Sequence, residues 1–363
     1  MFRSLNLTNF RSFEKFSMTE LGRVNLLVGT NNCGKTSVLE AVHILAAQGR
    51  PSVLWETLAR RGERSISERT GARMLVSDVR HLFYGHECKN GDFLEISGKN
   101  DVFSSTFSAK IIENNNQTPL ISEMNNSRFD ESEILSPLNL EIQWLGDEIP
   151  PLIMPFNNTT PLFKIPQLRE NTNPIRFITT SALNKSQVIA DFDNISLTPD
   201  ENIVIQSLKT IEPNIERIAS VTHELRNSYE DRGGMVVKLA NQTRRIPIGS
   251  MGDGIWRMLG IALSLVNARG GTLLIDEIDT GLHFSAMENM WRLVKETATR
   301  LDVQVFATTH SRDCYEALAA ISRPDVFENS DISIQRIEQG KQQATFFTEQ
   351  EIVIAAESAI EVR

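Results

Sequence analysis

Apolar residues follow two spacings near the start of the chain, and each spacing predicts a different element. Leu5, Leu7 and Phe10 are separated by polar residues, which predicts a half-buried strand. Residues 24–28 (VNLLV) are apolar apart from one asparagine, a composition typical of a strand covered on both faces of a sheet. Between residues 38 and 45 apolar residues recur at helical spacing, so we expect a helix with a buried face that starts inside the sequence GKTS.

The middle of the chain has a different pattern. Residues 52–83 are expected to be helical and arginine-rich. Between residues 91 and 175, short segments alternate apolar and polar positions and are separated by polar loops, which predicts an antiparallel β subdomain. Residues 176–183 (RFITTSAL) are expected to return as a strand. Helical periodicity over residues 201–220 is interrupted by Pro213 and predicts two short helices.

Strands and helices alternate in the last third of the chain. Residues 271–277 (GTLLIDE) and 302–310 (DVQVFATTH) predict buried strands, and residues 284–300 predict an amphipathic helix between them. A hairpin is expected to turn at residues 339–340, and Thr348 opens a final helix with the spacing of a capping box. This alternation favours an α/β fold with a mainly parallel sheet.

Length, charge and cysteine content narrow the class of protein. At roughly 150 residues per domain, 363 residues suggest two structural units. The net charge of −9 disfavours nucleic-acid binding through bulk positive charge, so any such contact must be a local patch. Three cysteines without a CxxC pair argue against disulfides and structural zinc. No apolar run of about 18 residues or signal core is present, so we expect a cytoplasmic protein without membrane contact.

Residues 29–37 (GTNNCGKTS) match the pattern G-x-x-x-x-G-K-[ST], and they lie between a buried strand and a helix. Glycines allow successive backbone N–H groups to point inward, and the helix N-terminus adds partial positive charge, so such a loop cradles phosphates. We therefore expect Lys35 to reach the β- and γ-phosphates of ATP and the Thr36 hydroxyl to bind Mg²⁺. The alternative is a plain glycine turn with a solvated lysine.

Polar residues end two of the predicted buried strands. Asp276 and Glu277 end the first, at the edge of a parallel sheet where ligands bind. We expect Asp276 to complete the magnesium shell and Glu277 to orient or deprotonate the attacking water. His310 ends the second strand and is expected within reach of the γ-phosphate. Each residue also has a structural alternative, as an acidic strand cap or a buried histidine.

A second glycine-rich helix N-terminus precedes the carboxylate strand. Ser250, Gly252 and Gly254 open a helix in the sequence GSMGDGIWRMLGIALSLV, which offers a second surface for phosphate. One chain rarely needs two such surfaces for one nucleotide, whereas two chains arranged head to tail can each lend one to the other's ATP. The alternative is a flexible helix entry that hinges at the two glycines.

The sequences NFRSFE, GTNNCGKTS, SMGDGIWR, LLIDEIDTGLH and ATTHS occur in that order, and together they resemble the ABC-class ATPases of the RecF, SMC and OLD type. They are most similar to compact AAA-type ATPases of bacterial DNA-repair and phage-defence modules. The resemblance covers residues 1–45 and 245–315. It implies a P-loop NTPase fold, the ABC-type ATPase head, with a mainly parallel sheet, an antiparallel β subdomain and a small helical insertion.

The sequence pattern of the middle of the chain, taken together with the resemblance, predicts a division of the chain into four segments. Residues 1–90 and 250–363 would form the two parts of the ATPase core. Residues 91–175 would form the β subdomain, and residues 176–249 the return strand and helical insertion.

The matched positions imply specific roles. Glu277, His310 and Lys35 would be catalytic, with Asp276 and Glu277 as Walker B and His310 as the switch histidine. Thr36 and Asp276 would bind Mg²⁺. Residues 279–283 would be the D-loop, and residues 250–254 the signature loop acting in trans. Nucleotide binding would involve Gly29, Asn31, Asn32, Gly34, Lys35, Thr36, Ser37, Arg11, Ser250, Gly252 and Gly254.

Three departures from the family pattern stand out. Met251 occupies the usual serine position of the signature loop, so Ser250 is the candidate for the γ-phosphate contact. No Q-loop glutamine is found; Asp78 and His81 lie in the expected neighbourhood, and the position stays unassigned. After the hairpin and the final helix, we also expect no TOPRIM nuclease domain of the kind that many OLD proteins carry.

We therefore expect an ATPase that dimerises around ATP and drives or gates a DNA-repair or anti-phage complex, with a separately encoded effector such as a TOPRIM-type nuclease. The alternative is a nucleotide-gated scaffold that hydrolyses ATP slowly as a timer. The strand-rich middle of the chain disfavours the motor of a membrane transporter.

Residues 60–80 carry six arginines against three acidic residues. They form either a local contact for DNA or a solvated, charge-rich surface.

Overall fold

The computed structural model describes residues 1–48, 50–69, 72–101, 104–113, 138–145, 151–155, 157–158, 173–180, 184–221, 234–240, 242–322, 331–358 and 360–362. The chain divides into two compact units. Unit 1 comprises Met1–Glu20, Asn32–Thr172 and Glu338–Ala344, and unit 2 comprises Leu21–Asn31, Asn173–Ile337 and Thr345–Arg363.

Unit 1 contains a six-stranded antiparallel sheet with the strand order β2-β1-β6-β7-β8-β9. The strands are Phe2–Phe10 (β1), Phe13–Met18 (β2), Phe93–Asn100 (β6), Ser104–Glu113 (β7), Leu138–Leu145 (β8) and Leu152–Pro155 (β9). Leu5, Leu7 and Phe10 are buried, as their spacing predicts. The antiparallel strands expected after residue 91 are therefore present, and β1 pairs directly with β6.

Two helices belong to unit 1, Lys35–Ala46 (α1) and Ser52–Arg60 (α2). The helix α1 starts within GKTS, as predicted, and lies against β6 and β7. Every residue of α1 except Thr36 is buried, so the helix is enclosed on nearly all sides rather than on one face.

The prediction of helix over residues 52–83 is wrong after α2. A turn at Gly62, with φ of 68°, leads into an antiparallel hairpin, and a short 3₁₀ turn, Val79–Leu82, follows it. The hairpin strands are Arg64–Arg69 (β4) and Ala72–Asp78 (β5), and Asn157–Asn158 (β10) pairs with β5. Cross-strand hydrogen bonds thus outweigh the helix propensity of the arginines in this segment.

Unit 2 is built on a six-stranded sheet with the order β11-β15-β16-β3-β17-β18. The strands are Val24–Val28 (β3), Ile175–Ile178 (β11), Thr272–Ile275 (β15), Gln304–Thr308 (β16), Ile332–Arg336 (β17) and Thr345–Phe347 (β18). The first five strands in that order are parallel, and β18 is antiparallel to β17. The mainly parallel sheet is confirmed, although residues 181–183 of the expected return strand lie outside the described residues.

The described helices of unit 2 pack around this sheet. They are Lys185–Asp193 (α3), Pro199–Lys209 (α4), Asp253–Asn267 (α5), Phe284–Leu301 (α6), Arg312–Ile321 (α7) and Glu349–Glu357 (α8). Trp291 of α6 is fully buried and donates a hydrogen bond from Nε1 to the carbonyl oxygen of Cys314, at 2.9 Å. The helix α8 begins with the predicted capping box between Thr348 and Glu351.

Two short helices are predicted over residues 201–220, and the prediction of the second one is wrong. Instead, Ile215–Ser220 (β12) pairs with Met235–Leu239 (β13), which pairs with Ile246–Pro247 (β14). Ile215 and Ile218 are buried there, because β-branched side chains pack well on a pleated surface and the pairing partner comes from a later segment. In the described part of the chain, no helix is both long and apolar enough to cross a membrane.

Candidate active site

Three neighbouring strands of unit 2 bring polar segments to one edge of the parallel sheet. The strand β16 lies between β3 and β15, with Ala307 in register with Ile275 on one side and Leu26 on the other. Residues 29–31, the start of the phosphate loop (residues 29–37), therefore follow a strand next to β16. Residues 276–280, here called the carboxylate turn, follow β15, and His310 lies just past β16. This edge is where ligands bind in α/β folds.

The hydroxyl of Thr308 joins the two residues that begin the carboxylate turn. Its Oγ1 donates to Asp276 Oδ1 at 2.7 Å and accepts from the backbone N–H of Glu277 at 2.8 Å. The backbone carbonyl of Thr308 accepts from the N–H of Ile278 at 3.0 Å. The last residue of β16 thus fixes the direction in which the chain leaves β15.

Glu277 lies in an unusual backbone conformation. Its φ of 46° falls in the left-handed region, which residues other than glycine rarely adopt. The Glu277 carboxylate accepts from Thr280 Oγ1 at 3.3 Å, and its Oε1 lies 3.9 Å from Nε2 of His310. The side chains of Glu277 and His310 are 43% and 37% exposed, so both are open to a ligand.

The second threonine of ATTHS holds the D-loop (residues 279–283). Thr309 Oγ1 donates to Asp279 Oδ1 at 2.6 Å and accepts from the N–H of Ser311 at 2.9 Å. The D-loop also meets the signature loop (residues 250–254), because a Cβ added at Gly254 would lie 3.5 Å from the carbonyl oxygen of Gly281. The signature loop, the D-loop and the carboxylate turn are therefore neighbours within unit 2.

The helix α5 begins directly at the signature loop. Its N-cap is Gly252, with φ of 92° and no side-chain cap, and Ser250, Gly252 and Asp253 are exposed. Arg257, in the second turn of α5, is buried and donates to the carbonyl oxygens of three residues, Thr179, Asp276 and Glu277. Burial lowers the pKa of the Arg257 guanidinium, while the nearby carboxylates of Asp279, Asp276 and Glu277 act in the opposite direction.

The remainder of the phosphate loop, from Asn32 onward, belongs to unit 1. Gly34 has a φ of 105°, and a Cβ at this position would overlap the ring of Phe13 and lie 2.7 Å from Ser12 Oγ. Lys35 is buried, and its Nζ donates to Cys33 Sγ at 3.8 Å. Glycine is thus required at residue 34 both by the backbone conformation and by the space available.

Arg11 is held by carboxylates of unit 1. Its Nε lies 3.0 Å from Glu40 Oε2, its Nη1 lies 2.6 Å from Glu63 Oε1, and Nη1 also donates to the carbonyl of His81 at 2.8 Å. The Arg11 side chain is only 2% exposed. The phosphate contact that the resemblance implies for Arg11 stays a prediction, because the structure engages this guanidinium in ion pairs instead.

Arg61 is a site residue that the sequence analysis did not single out. Its Nε donates to Glu40 Oε1 at 2.6 Å, and its Nη2 donates to Ser37 Oγ of the phosphate loop at 3.3 Å. Arg61 lies in the charged segment ARRGER, which indicates that it is available for ion pairs. The sequence of this segment does not show which carboxylate Arg61 pairs with. Through Glu40, Arg61 and Arg11 share one ion-pair network.

Three arginines of the arginine-rich segment have side chains that the structure describes, and all three are paired with carboxylates. Arg60, Arg61 and Arg80 each contact a carboxylate, namely Glu56, Glu40 and Asp78 at 3.7, 2.6 and 2.6 Å. The guanidinium of Arg80 holds the pKa of Asp78 below its usual value. Asp78, one of the two residues in the expected Q-loop neighbourhood, is therefore already engaged. The side chains of Arg64, Arg69 and Arg73 lie outside the described residues.

Each unit supplies residues of the types that a nucleotide with magnesium requires. The positive φ of Gly34 allows the loop to curl at the N-terminus of α1, where backbone N–H groups and the helix dipole favour phosphate. Within unit 1 the Thr36 hydroxyl is an oxygen donor of the type that Mg²⁺ prefers, and within unit 2 the Asp276 carboxylate is another.

A family model described as an AAA ATPase domain matches residues 1–314. The chain belongs to this AAA ATPase family. It is 23% identical over 353 residues to an ATP/GTP phosphatase of Helicobacter pylori, and the match covers 90% of each protein. A DNA replication and repair protein RecF of Clostridioides difficile is 46% identical over 44 residues, 12% of each protein.

A solved structure of an SMC head bound to the C-terminal winged-helix domain of ScpA is similar to this AAA ATPase with a TM-score of 0.51. The identity is 12%, and the match covers 96% of this chain and 97% of that one, so the likeness concerns the fold. The predicted fold of an ABC-type ATPase head is therefore confirmed by this likeness, and the family match identifies the chain as an ATP-hydrolysing enzyme.

Proposed function

We propose that the phosphate loop binds Mg-ATP and that two copies of this ATPase close head to tail around two nucleotides. Each copy contributes the signature loop to the nucleotide of the other. The observation that carries this proposal is the N-terminus of α5, where the N-cap Gly252 is exposed and has no side-chain cap, and where Gly254 lies beside Gly281 of the D-loop. An open helix N-terminus of this kind is suited to an incoming phosphate.

The proposed roles follow from the chemistry of the side chains. Lys35 neutralises the β- and γ-phosphates, and Thr36 and Asp276 hold Mg²⁺. Glu277 orients or deprotonates the attacking water, and His310 contacts the γ-phosphate. When bound, Mg²⁺ neutralises charge that develops on the phosphate oxygens.

The biological role that we propose is a nucleotide-driven gate in a DNA-repair or anti-phage complex. Closure requires contacts made only when the γ-phosphate is present, so hydrolysis reopens the pair. The local match to proteins named for DNA replication and repair supports this setting. The SMC head bound to a domain of another protein supports a separately encoded partner, for which a TOPRIM-type nuclease is our candidate.

Mixing two inactive variants tests the head-to-tail arrangement. Lys35→Ala disables the phosphate loop, and Ser250→Arg blocks the signature loop at an exposed position. Each variant alone should be inactive, while an equal mixture should regain about a quarter of the wild-type rate, because half of the pairs are mixed and each mixed pair has one intact site of two.

The matched control mixes Lys35→Ala with Glu277→Gln. Lys35 and Glu277 both act on the nucleotide bound to their own chain. Each site of a mixed pair therefore carries one defect, and no ATPase activity should return. Failure of the mixture of Lys35→Ala and Ser250→Arg to regain activity would contradict the contribution of the signature loop in trans.

A purified chain that cuts DNA without a partner would contradict the proposal of a separately encoded effector.

A further inference from the structure

Arg257 connects the helix of the signature loop to the carboxylate turn. It lies five residues past the N-cap Gly252, and its side chain is 6% exposed. Nη1 donates to the carbonyl of Thr179 at 3.2 Å, and Nη2 donates to the carbonyls of Asp276 and Glu277 at 2.9 and 2.7 Å. One buried guanidinium thus binds the backbone carbonyls on both sides of the Glu277 Cα atom.

Glu277 depends on such support because its backbone is in the left-handed region, with φ of 46°. An L-residue is sterically disfavoured there unless its surroundings hold it in place. The N–H of Glu277 is held by Thr308 Oγ1 at 2.8 Å, and its carbonyl is held by Arg257 and by the N–H of Thr280. The backbone of Glu277 is therefore held by hydrogen bonds at both its N–H and its carbonyl.

The shape of the guanidinium matters for this role. Its two terminal nitrogens lie in one plane and reach carbonyls on two different segments, whereas a lysine presents one compact ammonium group. Arg257 also sits on the helix whose first residues form the signature loop, so a shift of that helix start moves the guanidinium relative to the carboxylate turn.

We propose that Arg257 is a positioning residue that holds Glu277 in its left-handed backbone conformation and so couples the signature loop to the catalytic carboxylate. This inference rests on the proposed function, in which Glu277 acts on the attacking water. Arg257 then sets where the carboxylate lies without contacting ATP itself.

A double-mutant cycle tests the proposal. Arg257→Lys, Glu277→Gln and the double variant are compared for kcat, for KM, for the affinity for a non-hydrolysable ATP analogue, and for the midpoint of thermal unfolding. We expect Arg257→Lys to lower kcat about tenfold or more while the affinity for the analogue changes less than about twofold. In the Glu277→Gln background the same change should alter the residual rate less than about twofold, because its target is already removed.

A purely structural role predicts a different result. Arg257→Lys would then lower the rate by the same factor in both backgrounds, or would lower nucleotide affinity together with the rate, and either result overturns the proposal. The control is Arg269→Gln, because Arg269 follows the end of α5 and pairs with Asp200 at 2.7 Å on the surface. This variant should keep the wild-type kcat.

Thr308 offers a second test of the same clamp if Arg257→Lys does not fold. Thr308→Val removes the hydroxyl that holds the Glu277 N–H, and Thr308→Ser retains it. The valine variant should lower kcat by a larger factor in the wild-type background than in the Glu277→Gln background, where only the loss of the hydrogen bond to Asp276 remains, and the serine variant should restore the rate. Equal effects of valine in the two backgrounds would overturn the proposal.

The outcomes also separate this inference from the proposed function. A wild-type rate for Glu277→Gln alone would remove Glu277 from catalysis and with it the proposed function. A slow Glu277→Gln beside a wild-type Arg257→Lys would overturn only the role of Arg257.

Discussion

The Nε2 atom of His310 lies 3.9 Å from Oε1 of Glu277, and the two residues follow neighbouring parallel strands. This distance is longer than a hydrogen bond, so the two side chains are not locked to each other. A water molecule between them would contact both groups. Their separate contributions to hydrolysis can therefore be measured one at a time.

Glu277→Gln should slow ATP hydrolysis about 100-fold or more without preventing nucleotide binding, because the amide has nearly the same shape but cannot accept a proton. Phosphate release measures the rate, and size-exclusion chromatography with excess Mg-ATP should show a trapped dimer. Glu288→Gln, on the exposed side of α6, is the control and should behave as wild type. An unchanged rate in Glu277→Gln would rule out this carboxylate.

His310→Ala should lower the rate of hydrolysis about 10- to 100-fold, because a group that contacts the γ-phosphate or the water is lost. Affinity for a non-hydrolysable ATP analogue should stay within about twofold of wild type, as measured by calorimetry. His86→Ala, an exposed position in unit 1, provides the comparison. Equal rates for the two histidine variants would leave His310 as a structural residue.

Lys35→Ala should weaken ATP binding about 100-fold, because hydrogen bonds to a charged phosphate are lost together with the positive charge. Fluorescence titration with a labelled nucleotide measures the change. Lys341→Ala, at an exposed position paired with Glu338, serves as control. Wild-type affinity in Lys35→Ala would mean that the loop is only a turn.

Gly34→Ala and Gly340→Ala form a matched pair, since both glycines have positive φ, of 105° and 80°. A Cβ at Gly340 meets no atom within 4 Å, so this variant should lose only about 1 kcal/mol of stability. At Gly34 the new Cβ overlaps the Phe13 ring, so we expect a larger loss and no ATP binding. Urea unfolding and nucleotide titration measure both effects. Equal losses would show that the Phe13 contact is unimportant.

Arg11→Ala should lower the free energy of unfolding by about 3 kcal/mol, because it removes the partner of two carboxylates in unit 1. Urea unfolding measures the loss, and Arg312→Ala, which breaks a surface pair with Glu316, should leave stability nearly unchanged. If Arg11→Ala is instead as stable as wild type but does not bind ATP, then the phosphate contact implied by the resemblance is correct.

Hydrophobic periodicity predicts the elements that carry the site. The strands β3, β15 and β16 and the helix α1 are continuous apolar or periodic segments, so the local pattern is sufficient to find them. The errors lie where pairing between segments decides the structure. The strand β12 needs β13 as its partner, and the arginine-rich hairpin forms through cross-strand hydrogen bonds that no single segment reveals.

The motifs identify the residues expected to contact ATP but not the residues that hold them. The sequence pattern indicates only that Thr308 ends a buried strand and that Arg257 is a charged residue on an otherwise apolar helix. Their contacts with the carboxylate turn arise from the order of the strands in the sheet and from the packing of α5 near residues 276 and 277. Such contacts join segments that are distant in the chain, so spacing alone does not predict them.

The left-handed backbone of Glu277 means that thermal stability and catalysis favour different residues at this position. Glycine or asparagine would adopt this conformation with less strain, but neither carries a carboxylate. A library screened only for survival at high temperature should therefore enrich these exchanges at residue 277, and the surviving proteins should be robust but inert.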